Sequence, residues 1–425
     1  MTLVGIDIGT TSIKAAVFDL EGTELAEARE TTPWRSSELD PAALRAATLR
    51  AADAALADTD GPVAGIGVAG IAETGILLDA HGRPAVPALA WHDVRGAEQA
   101  DDLRRQLGER FAEHVGMPVR QLCSLVKYAW MRRHWPDAAR GVRWLSVAEW
   151  IVRELGGEEA AESSLASRTA FYDLHSRAPW DEALAWADAP PGLAPEHLPA
   201  GTPLGTAGAA LPRAKGATLA VGGHDHLAAA VGAGVAGEGE VLDSWGTAEA
   251  WIRATAPLGP DQVRECVEAG ITVGWHAIEG RQALLGAARS GAALQSVVDL
   301  VGGDPTDLDP AALHADPGRL ELSGFPDGPF VITGLDRGAS PAALYRAAHE
   351  SLGREGARVL DRMDAIAGPR TRLVVTGGWA EGECAREVKA RHLGAFEHAP
   401  GIATGARGAA LAALRAHSGR SAPSA

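Results

Sequence analysis

The 425-residue sequence predicts an α/β protein folded as two domains, and three observations carry that prediction. Domains usually run roughly 100–200 residues, so a chain of this length divides its core. The N-terminus alternates apolar runs and turns in the manner of a strand meander before its first helix. A turn of Asp, Gly and Thr follows a strand in each half, as Asp7-Ile8-Gly9-Thr10-Thr11 and again as Asp243-Ser244-Trp245-Gly246-Thr247. Two halves with related nucleotide-gripping turns would follow, although on spacing alone such clusters also arise by chance.

Taken in order, the apolar runs Leu3–Ile8 and Ile13–Leu20 and the segment Glu24–Glu30, separated by a Gly/Thr/Ser turn and an EGT turn, read as three strands. Asp40-Pro41 then supplies an N-cap acid and an N1 proline ahead of apolar positions at Leu44, Ala47, Ala51, Ala55 and Leu56, which is a helix. Residues 62–71 are small, apolar and too few for a typical helix, so they read as a buried strand. The stretch from about Val94 to Arg153 is helical in character, and residues 186–216 are rich in Pro, Gly and Ala, as an irregular connection would be. Strand-like sequence resumes at Thr218 through LAVGGHDH and GEVLDSWGTAEAW. An Asp/Pro/Gly-rich stretch covers 301–329, Ser340-Pro341 starts a helix by the same cap-plus-proline device, and RLVVTGGWAEG reads as strand then glycine turn. The end of the chain, HSGRSAPSA from about 417, lacks apolar content and reads as a disordered tail.

Composition narrows the function. A hydrophobic fraction of 46% with 22% charged residues is that of a globular protein. No stretch is long and apolar enough for a bilayer, and no leader follows MTLVGIDIGTTSIK, so the expectation is a cytoplasmic protein with no membrane partner. A formal net charge of −16 opposes a nucleic-acid partner. Cys123, Cys266 and Cys384 are far apart and form no CxxC pair, so they read as buried bystanders.

Five segments could carry chemistry. In Asp7–Lys14 (DIGTTSIK) a glycine and small hydroxyl residues at a turn let backbone N–H groups reach phosphate oxygens, with Asp7 at the strand end able to hold magnesium; a plain hairpin explains it equally well. Gly222-Gly223-His224-Asp225-His226 sets a carboxylate after two glycines at a strand end, open to a ligand as a general base must be. Alternatively Asp225 caps the next helix, or His224 and His226 bind a hydrolytic metal. Trp91-His92-Asp93-Val94-Arg95 offers an aromatic face with an acid and a forked cation for a polyol, or else a surface salt bridge. Thr376-Gly377-Gly378-Trp379 could let an adenine lie against backbone, or simply turn. The string GIGVAG at 65–70 matches GxGxxG, but its glycines fall inside the apolar run, which favours a tightly packed strand over a dinucleotide site. No GxxxxGK[ST] loop and no GxSxG elbow occurs.

Together, in order and at these separations, the segments resemble the FGGY carbohydrate kinases, the family of glycerol kinase, xylulokinase, ribulokinase and gluconate kinase. The resemblance runs to about residue 416 and includes GIDIGTTSIKAAVFD, Trp91/Asp93/Arg95, Lys127-Tyr128-Ala129-Trp130 with Leu122 departing from the signature, Ser163–Thr169 with Tyr172-Asp173 and Trp180, the glycine-glycine-x-Asp element, and GARGAALAAL. It implies two ribonuclease H-like (actin/hexokinase-like ATPase) domains around a central cleft. Residues 1–235 would hold sugar, metal and catalytic base, and 236–425 the nucleotide. ATP and Mg2+ are the implied cofactors, a small sugar or polyol such as a ketopentose the partner, and a homodimer is compatible with the family.

The resemblance also implies roles. Asp225 would be the base and Asp7 the magnesium ligand. Gly9, Thr10, Thr11, Ser12, Lys14, Gly246, Thr247, Gly377, Gly378 and Trp379 would hold nucleotide and phosphates. Glu73, Trp91, Asp93, Arg95 and His226 would seat the acceptor. Ile71-Ala72-Glu73-Thr74 stands where xylulokinases carry Gln-Met-His-Gly and is closer to the Arg-Glu-Thr of glycerol kinases. His226 replaces the usual xylulokinase asparagine, and the second domain is trimmed around 255–330. These departures leave the acceptor open. Two other classes compete: an actin-like ATPase or nucleotide-gated protein indifferent to sugars, and a metal-dependent hydrolase built on His224 and His226.

Overall fold

The computed structural model describes residues 1–425 apart from 247, 326–327, 400–402 and 420–425. The N-terminal meander is β1 (Thr2–Ile8), β2 (Ser12–Phe18) and β3 (Glu24–Thr31), followed by α1 (Pro41–Ala57) and β4 (Val63–Gly70). Asp40 caps α1 by accepting the Ala42 N–H, with Pro41 in the first turn. After helices at Ala97–Val115, Ser124–His134 and Val147–Glu154, β5 (Thr218–His224) completes a sheet ordered β5-β4-β1-β2-β3 and leads into α2 (Asp225–Gly232). Strands β1, β4 and β5 are parallel, while β2 is antiparallel to both its neighbours.

The second half repeats this plan. Its strands are β6 (Glu240–Trp245), β7 (Glu249–Thr255), β8 (Thr272–Trp275) and β9 (Gln282–Ala288). Helix α3 (Pro341–Ala367), β10 (Arg372–Thr376), α4 (Glu383–Leu393) and β11 (Glu397–His398) follow. The order is β8-β9-β7-β6-β10-β11, so apart from the extra edge strand β8 a three-strand meander again abuts two parallel strands. Both sheets therefore have the ribonuclease H-like arrangement.

The last helix, α5 (Thr404–Ser418), departs from a division at 235/236, because it packs on β1, β4, β5 and α2 of the first half. The contact is made backbone to backbone. A Cβ on Gly5 would lie 1.8 Å from the Ala406 carbonyl oxygen, and one on Gly67 would lie 1.8 Å from that of Ala409. The GIGVAG string thus lies within β4, and Gly65 and Gly67 admit an alanine-rich helix rather than a pyrophosphate. Gly67→Ala should cost about 1–3 kcal/mol by overpacking, seen as a lowered urea midpoint; an unchanged midpoint would show that α5 can retreat freely. The disordered tail expected from about 417 does not start there, since α5 continues to Ser418, and the rest of that expectation, 420–425, lies outside the described residues.

A helix over Pro305–Leu313 sits inside the stretch read from composition as Asp/Pro/Gly-rich. It starts on Asp304-Pro305, where the Asp304 side chain accepts the Thr306 N–H. Buried Asp309 on it accepts the Cys384 N–H at the start of α4, so this helix is anchored to α4. The three cysteines are buried and free. No helix among the described residues is long and apolar enough to cross a membrane.

Candidate active site

The carboxyl ends of β1, β4 and β5 lie side by side, where ligands collect in open parallel sheets. Asp7 stands near the end of β1, Glu73 three residues past β4, and Asp225 directly after β5. A bulge in β5 between Val221 and Gly223 turns the chain there, and Gly223 has φ of +103°, a left-handed value that glycine adopts without strain. A Cβ at Gly223 would also lie 2.7 Å from the Ser164 hydroxyl. That hydroxyl accepts the His224 N–H at 2.9 Å and donates to buried Glu162 at 2.6 Å, which fixes the residue before Asp225.

Asp225 accepts the His226 N–H at 2.7 Å, and His224 Nε2 lies 3.2 Å from the same oxygen, Oδ1. Burial works to raise its pKa, but His226, His224 and the backbone hydrogen bond outweigh burial and hold it below the usual carboxylate range. Asp7 goes the other way, pushed up to about 7 by burial first and by the charge of Asp225 second, with Lys14 opposing. Two neighbouring carboxyls with opposed shifts are a signature of functional sites. Asp7 Oδ1 is moreover buried with no hydrogen-bond partner. A divalent cation would satisfy that oxygen and neutralise the pair, so the residues fit a magnesium ion held through Asp7. His224, Asp225 and His226 also offer ligand atoms within 4.8 Å of one another, the arrangement on which a metal hydrolase would rely.

The β1–β2 turn is closed from within, because the Gly9 N–H donates to the Ser12 carbonyl. Gly246 does the same to Ala248 in the second half, so the two turns share a device and neither glycine N–H points outward. Thr10 is the hub of the first turn. Its carbonyl accepts from Trp34 Nε1 at 2.6 Å and its hydroxyl accepts from Trp91 Nε1 at 2.9 Å. Lys14 stands opposite Asp7 in the β1–β2 register. Thr247 lies outside the described residues.

Glu73 has φ of +57°, held by the buried Lys127 ammonium donating to its carbonyl at 3.0 Å. Its Oε1 receives Arg168 Nε at 2.7 Å and Nη2 at 2.6 Å. Arg168 Nη1 continues to Thr272 Oγ1 on β8 at 3.0 Å, so one guanidinium joins the Glu73 carboxylate to the other half. The pair lies close enough to His226 to bear on its titration, where burial is the largest cause and lowers the imidazole pKa.

Asp93 and Arg95 are not free for hydroxyls. Arg95 grips Asp93 through Nε and Nη2, Ser37 also donates to Asp93, and Arg95 Nη1 reaches Glu38. The guanidinium stacks over Trp130 and Trp135, at 5.0 and 5.6 Å from the ring centroids. This closed cluster braces the loop that presents Trp91, which is 37% exposed and so available as an apolar face.

In the second half, β10 runs parallel to β6 with Thr376 opposite Ser244. A Cβ on Gly377, whose φ is +106°, would lie 2.3 Å from the Trp245 carbonyl oxygen, so the Gly377-Gly378-Trp379 turn abuts the second Asp/Gly/Thr turn. Beneath that turn Asp243 and Glu249, both buried, flank Lys389 of α4, whose ammonium pairs with each and sits 4.1 Å from the Trp245 ring centroid. Arg168 and Lys389 escaped the sequence reading. Arg168 lies within the quoted SSLASRT stretch, but nothing there distinguishes it. Lys389 is separated from Asp243 by 146 residues and reads as one more charge on an amphipathic helix.

Comparison with known proteins agrees with this architecture. The model of the N-terminal domain of the FGGY family of carbohydrate kinases matches residues 2–232. The xylulose kinase of Streptomyces coelicolor is 29% identical over 445 residues, spanning 96% of this chain and 90% of its own. The glycerol kinase of Gloeobacter violaceus is 30% identical over 447 residues, spanning 97% and 87%. The xylulose kinase structure from Rhodospirillum rubrum superposes with a TM-score of 0.87 at 25% identity over 98% of this chain and 91% of that one. The Plasmodium falciparum glycerol kinase with ADP, at 16% identity, shares the fold with a TM-score of 0.84 over 97% and 90%.

Proposed function

Since the chain belongs to the FGGY family of carbohydrate kinases, we propose that it moves the γ-phosphoryl group of ATP to a hydroxyl of a small sugar or polyol, with Asp225 as the base. The observation that carries this reading is the Asp7–Asp225 pair at the strand ends, one carboxyl held ionised and the other raised and unsatisfied. In phosphoryl transfer, positioning and charge neutralisation supply most of the acceleration. Asp225 would accept the hydroxyl proton as that oxygen attacks phosphorus. Asp7 would hold Mg2+, which when bound neutralises phosphate charge. Trp91 would lie against the carbon face of the acceptor, and Glu73 and His226 would bond its hydroxyls. The paired turns and Gly377–Trp379 would receive the nucleotide from the second half, and residues 1–235 with α5 would form the acceptor half. Closure of the halves would exclude water, which otherwise competes as acceptor.

A panel of polyols, ketopentoses and ketohexoses screened with ATP for ADP release tests the reaction. Acceptor-dependent release is expected, and ATP hydrolysis indifferent to sugars would point to the ATPase reading instead. Purified protein should carry no stoichiometric zinc or manganese; tight metal lost in a His224→Asn variant would favour the hydrolase.

Asp7 gives a pH prediction with a definite sign. Its folded pKa, about 7, exceeds the reference value of 3.8, so the folded apoprotein binds the extra proton and loses stability as pH rises between those values. Magnesium requires the deprotonated carboxylate. Mg2+ affinity should therefore climb as pH passes through about 7, and the acid limb of kcat/KM should move to lower pH at high Mg2+. Calorimetric Mg2+ titrations at several pH values check this, and a pH-independent affinity would take Asp7 out of the role.

A further inference from the structure

We propose that the acceptor site is built for an uncharged sugar or polyol and discriminates against sugar acids, with Arg168 held by Glu73 as the specificity-determining contact. The proposal rests on the kinase reading and narrows its acceptor. Three cations pack around Glu73 and the Trp91–Arg95 segment, and each is engaged. Arg168 places Nε and Nη2 on Glu73 Oε1 and Nη1 on Thr272. Lys127, fully buried, donates to the Glu73 carbonyl, and burial lowers its pKa to about 7. Arg95 is taken by Asp93 and Glu38 and stacked on two tryptophans. Lys14 stands across from Asp7 in the β1–β2 register.

A sugar acid entering this site would bring a carboxylate into a region that already holds Asp7, Asp225 and Glu73. Its natural partner would be the forked guanidinium of Arg168. Winning that partner would strand Glu73, only 9% exposed, as an unpaired buried charge, which is the costly way to break an ion pair. A neutral polyol meets no such conflict. Both Arg168 contacts converge on Oε1, so a hydroxyl can donate to Oε2 while the Glu73–Arg168–Thr272 chain stays intact.

The test compares kcat/KM, and binding by calorimetry, for glycerol, xylitol and D-xylulose against gluconate and xylonate. The parent should favour its best neutral acceptor by about 100-fold or more over either acid. Glu73→Gln removes the competing charge and should raise the acid-to-neutral ratio about tenfold, with a matching gain in gluconate binding. Arg168→Met should lower neutral turnover without that gain, and it carries the test should Glu73→Gln fail to fold. A sugar acid as the best acceptor of the parent, or Arg168→Met raising the acid-to-neutral ratio, would overturn the proposal while leaving the kinase standing. Absence of turnover with every acceptor, with ATP hydrolysis unaffected by any of them, would overturn the kinase reading and the proposal with it.

Discussion

Asp225→Asn is expected to lower turnover by about 10²–10⁴-fold at saturating acceptor while ATP affinity stays near that of the parent. The amide keeps the shape of the carboxylate and can still accept the His226 N–H, so the end of β5 should hold its turn. What it cannot do is take the proton of an attacking hydroxyl. The variant has a second readout that a merely structural residue would not move. The charge of Asp225 is one of the causes that raise Asp7, so removing it should bring the Asp7 pKa down and shift the pH dependence of Mg2+ binding to lower pH. Burial, the larger cause, remains, so the shift should be partial. Turnover comparable to the parent would sink the base assignment, and an unmoved Mg2+ profile would mean that the two carboxyls do not sense each other.

How far the sequence disclosed the fold depended on whether the determining interactions were local. Asp40-Pro41 and Ser340-Pro341 each announced a helix because cap and proline act within one turn, and Ser340 does accept the Ala343 N–H. Asp304-Pro305 is the same device, but the surrounding Asp, Pro and Gly obscured it and only tertiary anchoring through Asp309 makes the helix evident. The glycines of β4 could be seen not to open a helix. Why Gly65 and Gly67 are glycines could not be seen, since the reason is a helix more than 330 residues later whose backbone crowds the space of their side chains.

The candidate site divides along the same line. Asp7 lies at a strand end and Glu73 and Asp225 just past two others, and strand ends are legible in sequence. Asp93 and Arg95 were legible as a pair of opposite charges, yet their partners Ser37, Glu38, Trp130 and Trp135 come from two other segments, and those partners turn the pair into a brace. Arg168 gains its meaning only from residues far away in sequence, Glu73 and Thr272, the latter on a strand of the opposite half.

Lys389→Met is expected to be the most damaging single change to stability. It leaves Asp243 and Glu249, 0% and 1% exposed, facing each other without a cation, and breaking a buried pair from one side costs about 3–5 kcal/mol. The loss should depend on pH with a predictable sign. Burial has already pushed Glu249 up to about 8, and the lysine is the main influence lowering it, so in the variant Glu249 would fold more readily when protonated. The folded state then binds protons that the unfolded chain does not, and the variant recovers stability as pH falls from about 8 toward the ordinary carboxylate range. Urea midpoints of parent and variant at acid and alkaline pH check this, with the gap expected to narrow on the acid side. Adding Asp243→Asn and Glu249→Gln to Lys389→Met removes the stranded charges and should restore most of the loss, because a buried ion pair replaced as a unit is often close to neutral. The carboxylates sit on the two stems of the Gly246–Ala248 turn, at the end of β6 and the start of β7. If that turn receives phosphate, the triple variant should remain folded yet bind ATP less tightly, since the clamp between the stems is gone. A triple variant with parental stability and parental ATP affinity would reduce Lys389 to a packing residue, whereas a single variant as stable as the parent would refute the clamp itself.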